Sequence, residues 1–495
     1  MTHRMIRSQH MAGLKKNDFD ILIIGAGASG AGAALDAAMR GLSVALIDRD
    51  DFSASTSSKS TKLIHGGVRY LEQAVKNFDL AQLKQVRHGL QERYNVIKNA
   101  PFLAHPLALM TPCYSWFEGL YFAIGLKIYD WFAGNDPLPK SKWLGKEEAL
   151  SRIKGLKKDL HSAVLYYDGQ LDDARYNMLL AKTAAESGAN VANYVSVVDF
   201  QKNAEGKLSV AVVKDEITGE QFEIRAQLML NCTGPAADTI RIMANATKKP
   251  RIQKSKGVHA ILPLSVLGNT DTALLIPKTT DGRVIFAIPF QGHLLLGTTD
   301  TPYEVSGDDE PLLEEAEVDF LLENLNRYTH TPVDRSAITA GFGGLRPLLS
   351  PEEGNKDTKS LVRDHEVEID ETTGLISLMG GKWTTYRLMA ADVVDVACQQ
   401  LGNKTKCTTQ DKALSGAERY SELSLEWFIE SLSLPRNLAK HLWGRYGRNA
   451  YKVGGLIRLD KSLADPIVAG HPFIKAEAVF AVREEMALTD RKSVV

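Results

Sequence analysis

An α/β fold that opens on a βαβ unit, takes up antiparallel sheet further along and ends in a helical domain is what the sequence predicts, on three observations. The run "ILII" (residues 21–24) ends at "GAGASG" and is followed by the Ala-rich "AGAALDAAMRG". That order is a buried parallel strand, a tight turn and a helix stopped by a glycine C-cap. Second, "KLSVAVV" and "QFEI" flank a polar "TGE", and "RVIFAIPF" and "LLLGTTD" flank "QGH". Each pair is a β-hairpin signal. Third, strand signals fade beyond Gly402, and Tyr420 to Val482 reads as helices broken at "SLPRN" and "DPIVAGHP".

The remaining elements follow in order. "SVALID" is the second strand of the opening unit, with Asp48 at its end. Leu83, Val86, Leu90, Tyr94 and Ile97 recur at steps of three and four, so the region from about Leu71 to Asn99 is a long amphipathic helix. "AQLMLNCTG" is a further strand running into a glycine turn. Polar connectors fall near 135–146, 306–311 and 350–360.

Composition limits function. With 495 residues, 44% hydrophobic and 24% charged, the chain can bury two or three domain cores. Its 59 basic and 60 acidic residues nearly cancel to a net charge of -1. No global field draws it to nucleic acid or to an anionic membrane, so an anionic ligand must meet a local cationic cluster. Cys113, Cys232, Cys398 and Cys407 form no CxxC pair and no metal-ligand spacing, which points to a reducing, cytoplasmic setting and to no metal site. The basic start "MTHRMIRSQHMAGLKK" lacks the apolar core of a secretory signal.

Residues 112–134, "PCYSWFEGLYFAIGLKIYDWFAG", are interrupted by Glu118, Lys127 and Asp130 and do not make a spanning helix. Tyr114, Phe117, Tyr121, Ile124, Ile128 and Phe132 lie at helical spacing. The stripe predicts an amphipathic helix covering a core, with a helix lying in a membrane interface as the alternative.

Gly25, Gly27 and Gly30 match GxGxxG between a strand and a helix, and Asp48 stands at the end of the next strand. In that context Gly25 permits the turn, Gly27 admits a pyrophosphate, Gly30 packs the helix on the sheet, and Asp48 accepts from a ribose. The stretch "TSSKSTKLIHGGVRYLE" begins only eight residues after Asp48. Its hydroxyls and N–H groups suit a second face of the same ligand, and Gly66 and Gly67 let a flat ring lie against backbone. That favours a tightly held flavin over an exchangeable nicotinamide.

Together with "NCTGPAAD", "GTTDTPYE", "GGLRPLL" and "GGKWTTYR", these segments resemble the FAD-dependent glycerol-3-phosphate dehydrogenases, in order from about Asp18 to Leu401. The resemblance implies a Rossmann-like FAD-binding domain interleaved with an antiparallel-sheet substrate domain, similar to D-amino-acid oxidase, plus the C-terminal helical domain. The boundaries expected are 18–105, 160–258 and 340–401 for FAD, 106–159 and 259–339 for the substrate domain, and 402–495 for the helices. The resemblance implies FAD contacts at Gly25, Gly27, Gly30, Asp48, Ser57, Ser58, Thr61, Lys62, His65, Gly66, Gly67 and Thr233 to Pro235 (with Gly234), and places Lys382, Trp383 and Thr384 near the ring. It puts Arg69, His259, Arg346, Arg363 and Lys382 at the substrate, with Tyr70 beside Arg69. Trp383 stands where a leucine is usual, and the ending "ALTDRKSVV" stands where relatives continue into another helix.

The implied reaction is oxidation of sn-glycerol 3-phosphate to dihydroxyacetone phosphate, with electrons passed to ubiquinone or menaquinone. Arginine forks suit a phosphate dianion. A histidine suits the hydroxyl proton, so His259 is the expected base and Lys382 its competitor. A quinone partner makes residues 112–134 a peripheral membrane contact on the cytoplasmic face; a homodimer is one possible assembly, and the sequence does not fix the oligomeric state. No calcium-binding loop pattern occurs, which points to a bacterial-type member. The alternatives are a glycerophosphate oxidase using oxygen, an amine or amino-acid oxidase on the same fold, and a non-catalytic flavoprotein.

Overall fold

The βαβ unit forms the centre of the first sheet. Numbered along the chain, its parallel strands are β18 (Ile376–Gly380), β10 (Gln221–Asn231), β1 (Asp18–Ile24), β2 (Val44–Ile47) and β7 (Asn190–Ala192), in that spatial order. Antiparallel β17 (His365–Ile369) borders β18, and β8 (Val195–Lys202) and β9 (Leu208–Asp215) extend β10. The computed structural model describes residues 5–67, 80–134, 137–304, 310–350 and 365–489.

Helix Ala28–Met39 covers this sheet, with Ala31, Ala33, Ala34 and Ala37 fully buried beside Ile21, Ile23 and Leu46. Its small residues let a second helix, Tyr386–Leu401, come close. A Cβ on Gly32 would stand 2.9 Å from the Tyr386 ring, so a larger residue there would push the two helices apart. "QFEI" and "AQLMLNCTG" are not separate strands but one, β10: its first half pairs antiparallel with β9 and its second half parallel with β1.

The second sheet runs β15 (Thr301–Pro302), β11 (Ile252–Pro263), β14 (His293–Gly297), β13 (Ile285–Phe290), β12 (Ala273–Ile276), β4 (Ala104–Cys113), β6 (Ser162–Leu171) and β3 (Leu63–Ile64). β16 (Ala340–Leu349) pairs with β11, and β5 (Lys142–Gly145) with β6. The β13–β14 hairpin is as read from the sequence. Strands β6 and β16 belong to this second sheet, so boundaries at 160 and 340 cut through it, and the two units interleave more finely than expected. The β11–β16 register sets Ser255 opposite Arg346 and His259 opposite Phe342, which fixes the site described below.

The amphipathic segment is helix Trp116–Phe132, started by the Ser115 hydroxyl accepting from the Glu118 N–H. Its stripe is divided: Ile128 and Phe132 pack against a small core of Val86, Leu90 and Tyr129, whereas Phe117 is 77% exposed and Ile124 53%, with Trp131 beside them at 76%. The inward side is also carried by Gly119, Leu126 and Tyr129. Long aromatic side chains left bare on one contiguous face mark a contact surface. No helix among the described residues is long and apolar enough to cross a membrane.

Helices Glu422–Leu432, Arg436–Tyr446, Ala450–Leu459 and Lys475–Glu484 enclose a core of Phe428, Trp443, Tyr446 and Phe480. This domain is fastened to the first sheet's helix Asp173–Glu186 by the buried, two-pronged pair Arg175–Glu485, at 2.7 and 2.8 Å.

Candidate active site

The phosphate-binding turn comes first. Gly25 has φ +97°, and a Cβ there would lie 2.8 Å from the Cys232 carbonyl oxygen. At Gly30 a Cβ would sit 1.8 Å from the Gly25 carbonyl oxygen, so no side chain fits where helix Ala28–Met39 meets the loop. The Asp48 carboxylate accepts from the N–H of Ala26 at 2.6 Å and of Asp50 at 3.0 Å, and desolvation pushes its pKa up to about 6. Thr233, Gly234 and Pro235 leave β10 beside the same turn, where the Thr233 hydroxyl donates to Asn231 at 2.7 Å.

The hydroxyl-rich loop folds back over this helix start. Ser57 Oγ accepts from the Ala28 N–H at 2.9 Å and lies 3.0 Å from where a Gly27 Cβ would be. The Ser57 carbonyl accepts from the Trp383 indole N–H at 3.1 Å, joining two segments more than three hundred residues apart. Ser58 bonds within its own exposed turn, and Lys62 turns inward. The Ser58 hydroxyl donates to the Ser55 carbonyl, and the Lys62 ammonium donates to the Ser58 carbonyl at 2.7 Å and to Asp173. Asp173 also accepts from the Ser60 N–H and hydroxyl. One buried carboxylate thus braces the loop, a role the sequence did not reveal.

His65, Gly66 and Gly67 continue from β3. The Gly66 N–H donates to the Tyr129 hydroxyl at 2.7 Å, and the hydroxyl donates to Asp168 at 2.9 Å. Asp168 is paired with Arg93. A Cβ on Gly66 would meet Leu90 at 2.6 Å, so the glycine allows the loop to lie on helix Leu80–Asn99. Burial lowers the His65 pKa to about 4, with the positive charges of Lys382 and Arg93 adding to it; Lys382 therefore stands near the loop. Thr384 is buried.

On the second sheet, Arg346 and His259 share one face. The Arg346 guanidinium lies over Gly257, where a Cβ would come within 2.4 Å of it. It donates to Thr298 Oγ1 at 3.1 Å and pairs with Asp300 at 3.5 Å. His259 is 2% exposed and stacks on Phe342 with centroids 4.8 Å apart. Its Nε2 is 3.0 Å from Thr61 Oγ1, and its Nδ1 is buried without a partner among the described residues. Burial, then Arg346 and Lys62, push its pKa down to about 3, so the ring is neutral near pH 7. Arg69, Tyr70 and Arg363 lie outside the described residues.

The structure thus gathers the glycine turn, Asp48, Ser57, Trp383 and the Thr233 turn at one end, and Thr61, His259 and Arg346 at the other. Gly257, Thr298, Asp300, Phe342, Tyr129 and Asp173 went unnoticed as neighbours. "GTTD" was the one visible signal for Thr298 and Asp300. Two glycines that admit no Cβ, a third under the Ser57 hydroxyl, a helix start and a carboxylate at the next strand end fit a dinucleotide diphosphate and its ribose.

Comparison with known proteins agrees. The family described as "FAD dependent oxidoreductase" matches residues 20–387, and the "C-terminal domain of alpha-glycerophosphate oxidase" matches 407–491. A mitochondrial glycerol-3-phosphate dehydrogenase of Arabidopsis thaliana is 40% identical over 96% of this chain and 78% of its own length. A probable one from Dictyostelium discoideum is 39% identical over 95% and 76%. The solved Bacillus halodurans glycerol-3-phosphate dehydrogenase complexed with FAD superimposes with TM-score 0.78 at 28% identity, covering 98% of this chain and 86% of that one. On this fold, these motifs and this similarity, the chain belongs to the FAD-dependent glycerol-3-phosphate dehydrogenases.

Proposed function

We propose that the chain oxidises sn-glycerol 3-phosphate to dihydroxyacetone phosphate and passes the electrons to ubiquinone or menaquinone at the cytoplasmic face of a membrane. The observation that carries the reading is the pairing, on one face of β11, of a guanidinium laid over Gly257 with a buried neutral imidazole. The first is a phosphate group's partner; the second can take a hydroxyl proton.

FAD, when bound, supplies the acceptor for the hydride that leaves C2. The turn at Gly25, Gly27 and Gly30, with Asp48, Ser57, His65, Gly66, Gly67, Thr233 to Pro235 and Lys382 to Thr384, would hold it. Arg346, kept in place by Thr298 and Asp300, binds the phosphate oxygens through its planar fork. Arg69 and Arg363 are proposed as further cations for the dianion. His259 takes the C2 hydroxyl proton. Its low basicity is countered when a dianion binds beside it, because nearby negative charge favours the imidazolium. Lys382 stabilises negative charge developing on the C2 oxygen.

The exposed face of helix Trp116–Phe132 supports the membrane acceptor. Trp116, Phe117, Tyr121, Ile124 and Trp131 are bare, and such side chains favour the bilayer interface. The test is anaerobic addition of sn-glycerol 3-phosphate to the flavin-loaded protein, with glycerol and amino acids as controls. Bleaching by the phosphate ester alone is expected. Bleaching by an amino acid instead would make this an amine-oxidising relative. The reduced protein should then reoxidise faster with a quinone than with oxygen; the reverse order would make it a glycerophosphate oxidase.

A further inference from the structure

His259 is the proton acceptor in the reading above, on which this inference rests, yet neither of its ring nitrogens is open to a substrate. Nδ1 is buried. Phe342 covers one face of the ring, and Gly297 lies so close that a Cβ there would stand 2.3 Å from Cδ2. Nε2 faces Thr61 Oγ1 at 3.0 Å. Thr61 itself is half-buried, the outermost member of the pair. It belongs to the loop that Asp173 braces through Ser60 and Lys62, so its hydroxyl is held in place from behind.

We propose that Thr61 is a catalytic residue that carries the proton from the substrate hydroxyl to His259. The C2 hydroxyl donates to Thr61 Oγ1 while the Thr61 proton moves to His259 Nε2. The C2–H and O–H bonds break, the C2–O bond becomes a carbonyl, the hydride pair leaves to FAD, and the imidazole ends as imidazolium. The threonine oxygen gains one proton and gives up one, so it returns unchanged. The arrangement assigns the tautomer as well: Nε2 bears the lone pair and Nδ1 the hydrogen. Arg346, on the same strand face, sets the phosphate end, so the proton path starts at the carbon next to the phosphate-bearing one.

The test compares T61V, T61S and H259N with the parent by anaerobic flavin reduction. Alongside it, FAD content from visible absorbance and the Kd for sn-glycerol 3-phosphate from the flavin difference spectrum are recorded. T61V is expected to reduce ~10²–10³-fold more slowly, the lower part of the ~10²–10⁴-fold that a positioned general base supplies, with FAD content unchanged and Kd within about threefold. T61S should recover most of the rate, and the double variant T61V/H259N should be no slower than its worse parent, as expected for two groups acting as a unit. On the parent itself, the rate in mixtures of light and heavy water should curve with deuterium fraction, since two protons move together. A straight line, or a T61V rate equal to the parent's, would show direct transfer to His259 and overturn the relay. If T61V fails to hold FAD, the isotope curve on the parent still decides. A parent flavin that the phosphate ester does not reduce sinks the proposed activity and the relay together, and is told apart from failure of the relay alone by that parent measurement.

Discussion

The hydroxyl of Tyr129 accepts the Gly66 N–H at 2.7 Å while donating to Asp168. Tyr129 sits on the inner side of the helix whose outer side is bare aromatic, and Gly66 is in the loop proposed to face the flavin ring. Replacing Tyr129 by Phe leaves the Gly66 N–H short of its buried partner, at a cost of ~1–3 kcal/mol, while Asp168 keeps Arg93. We expect denaturant unfolding to show that loss, and the flavin absorbance maximum to shift with it. An unchanged flavin spectrum would show that the loop does not touch the ring.

Arg346 gives a sharper contrast. Arg346→Lys keeps the charge but loses the fork, and should raise KM for sn-glycerol 3-phosphate ~10–100-fold while FAD content stays unchanged. Gly257→Ala should act in the same direction without altering any charge, because the new Cβ would fall 2.4 Å from the guanidinium. Steady-state kinetics on both variants decides; a Gly257→Ala enzyme with unaltered KM would mean the guanidinium works from another position.

The buried histidine also shapes stability against pH. Its folded pKa of about 3 lies below the ordinary 6.5. Above pH 6.5 neither state binds the proton, so the shift has no effect. Between 6.5 and about 3 the unfolded chain binds a proton that the folded chain does not, and stability falls as pH falls, by up to ~1.4 kcal/mol per unit. His65, lowered to about 4, acts with the same sign, and Asp48, raised to about 6, with the opposite one. Unfolding of the H259N variant at pH 7, 6 and 5 should show a shallower decline than the parent's. Equal slopes would mean that His259 is protonated in the fold.

The proposed membrane association rests on side chains away from the reacting groups. Replacing Phe117, Ile124 and Trp131 together by Ser should abolish co-sedimentation with phospholipid vesicles and leave anaerobic flavin reduction by sn-glycerol 3-phosphate unaltered. Undiminished sedimentation would place the lipid contact elsewhere on the surface.

What could be read in the sequence was local. The glycine turn, its helix and Asp48 fall within one short βαβ unit, where spacing alone implies proximity. His259 and Arg346 were named through motif resemblance. Gly257, Thr298 and Phe342 were not placed beside them, because that depends on the register of β11 against β16 and the neighbouring strands, pairings across about eighty residues that no local period encodes. β10 was split in two for a related reason: its first half alternates between exposed and buried, while its last three residues are all buried, so its pattern changes where its partner does. In helix Trp116–Phe132 the periodicity located an apolar stripe but could not say whether protein covered it.

An α-helix with its side chains is about 10–12 Å across. Helix Trp116–Phe132 shows bare tryptophan and phenylalanine on one side and hands a tyrosine hydroxyl to Gly66 on the other. If the outer side rests among lipid headgroups, a single rod's thickness separates the oily phase from the backbone proposed to cradle the isoalloxazine. An acceptor dissolved in that phase then needs no channel through the protein and no swinging domain to collect its electrons, and the enzyme stays a surface-bound body with its oxidising end held close to the lipid.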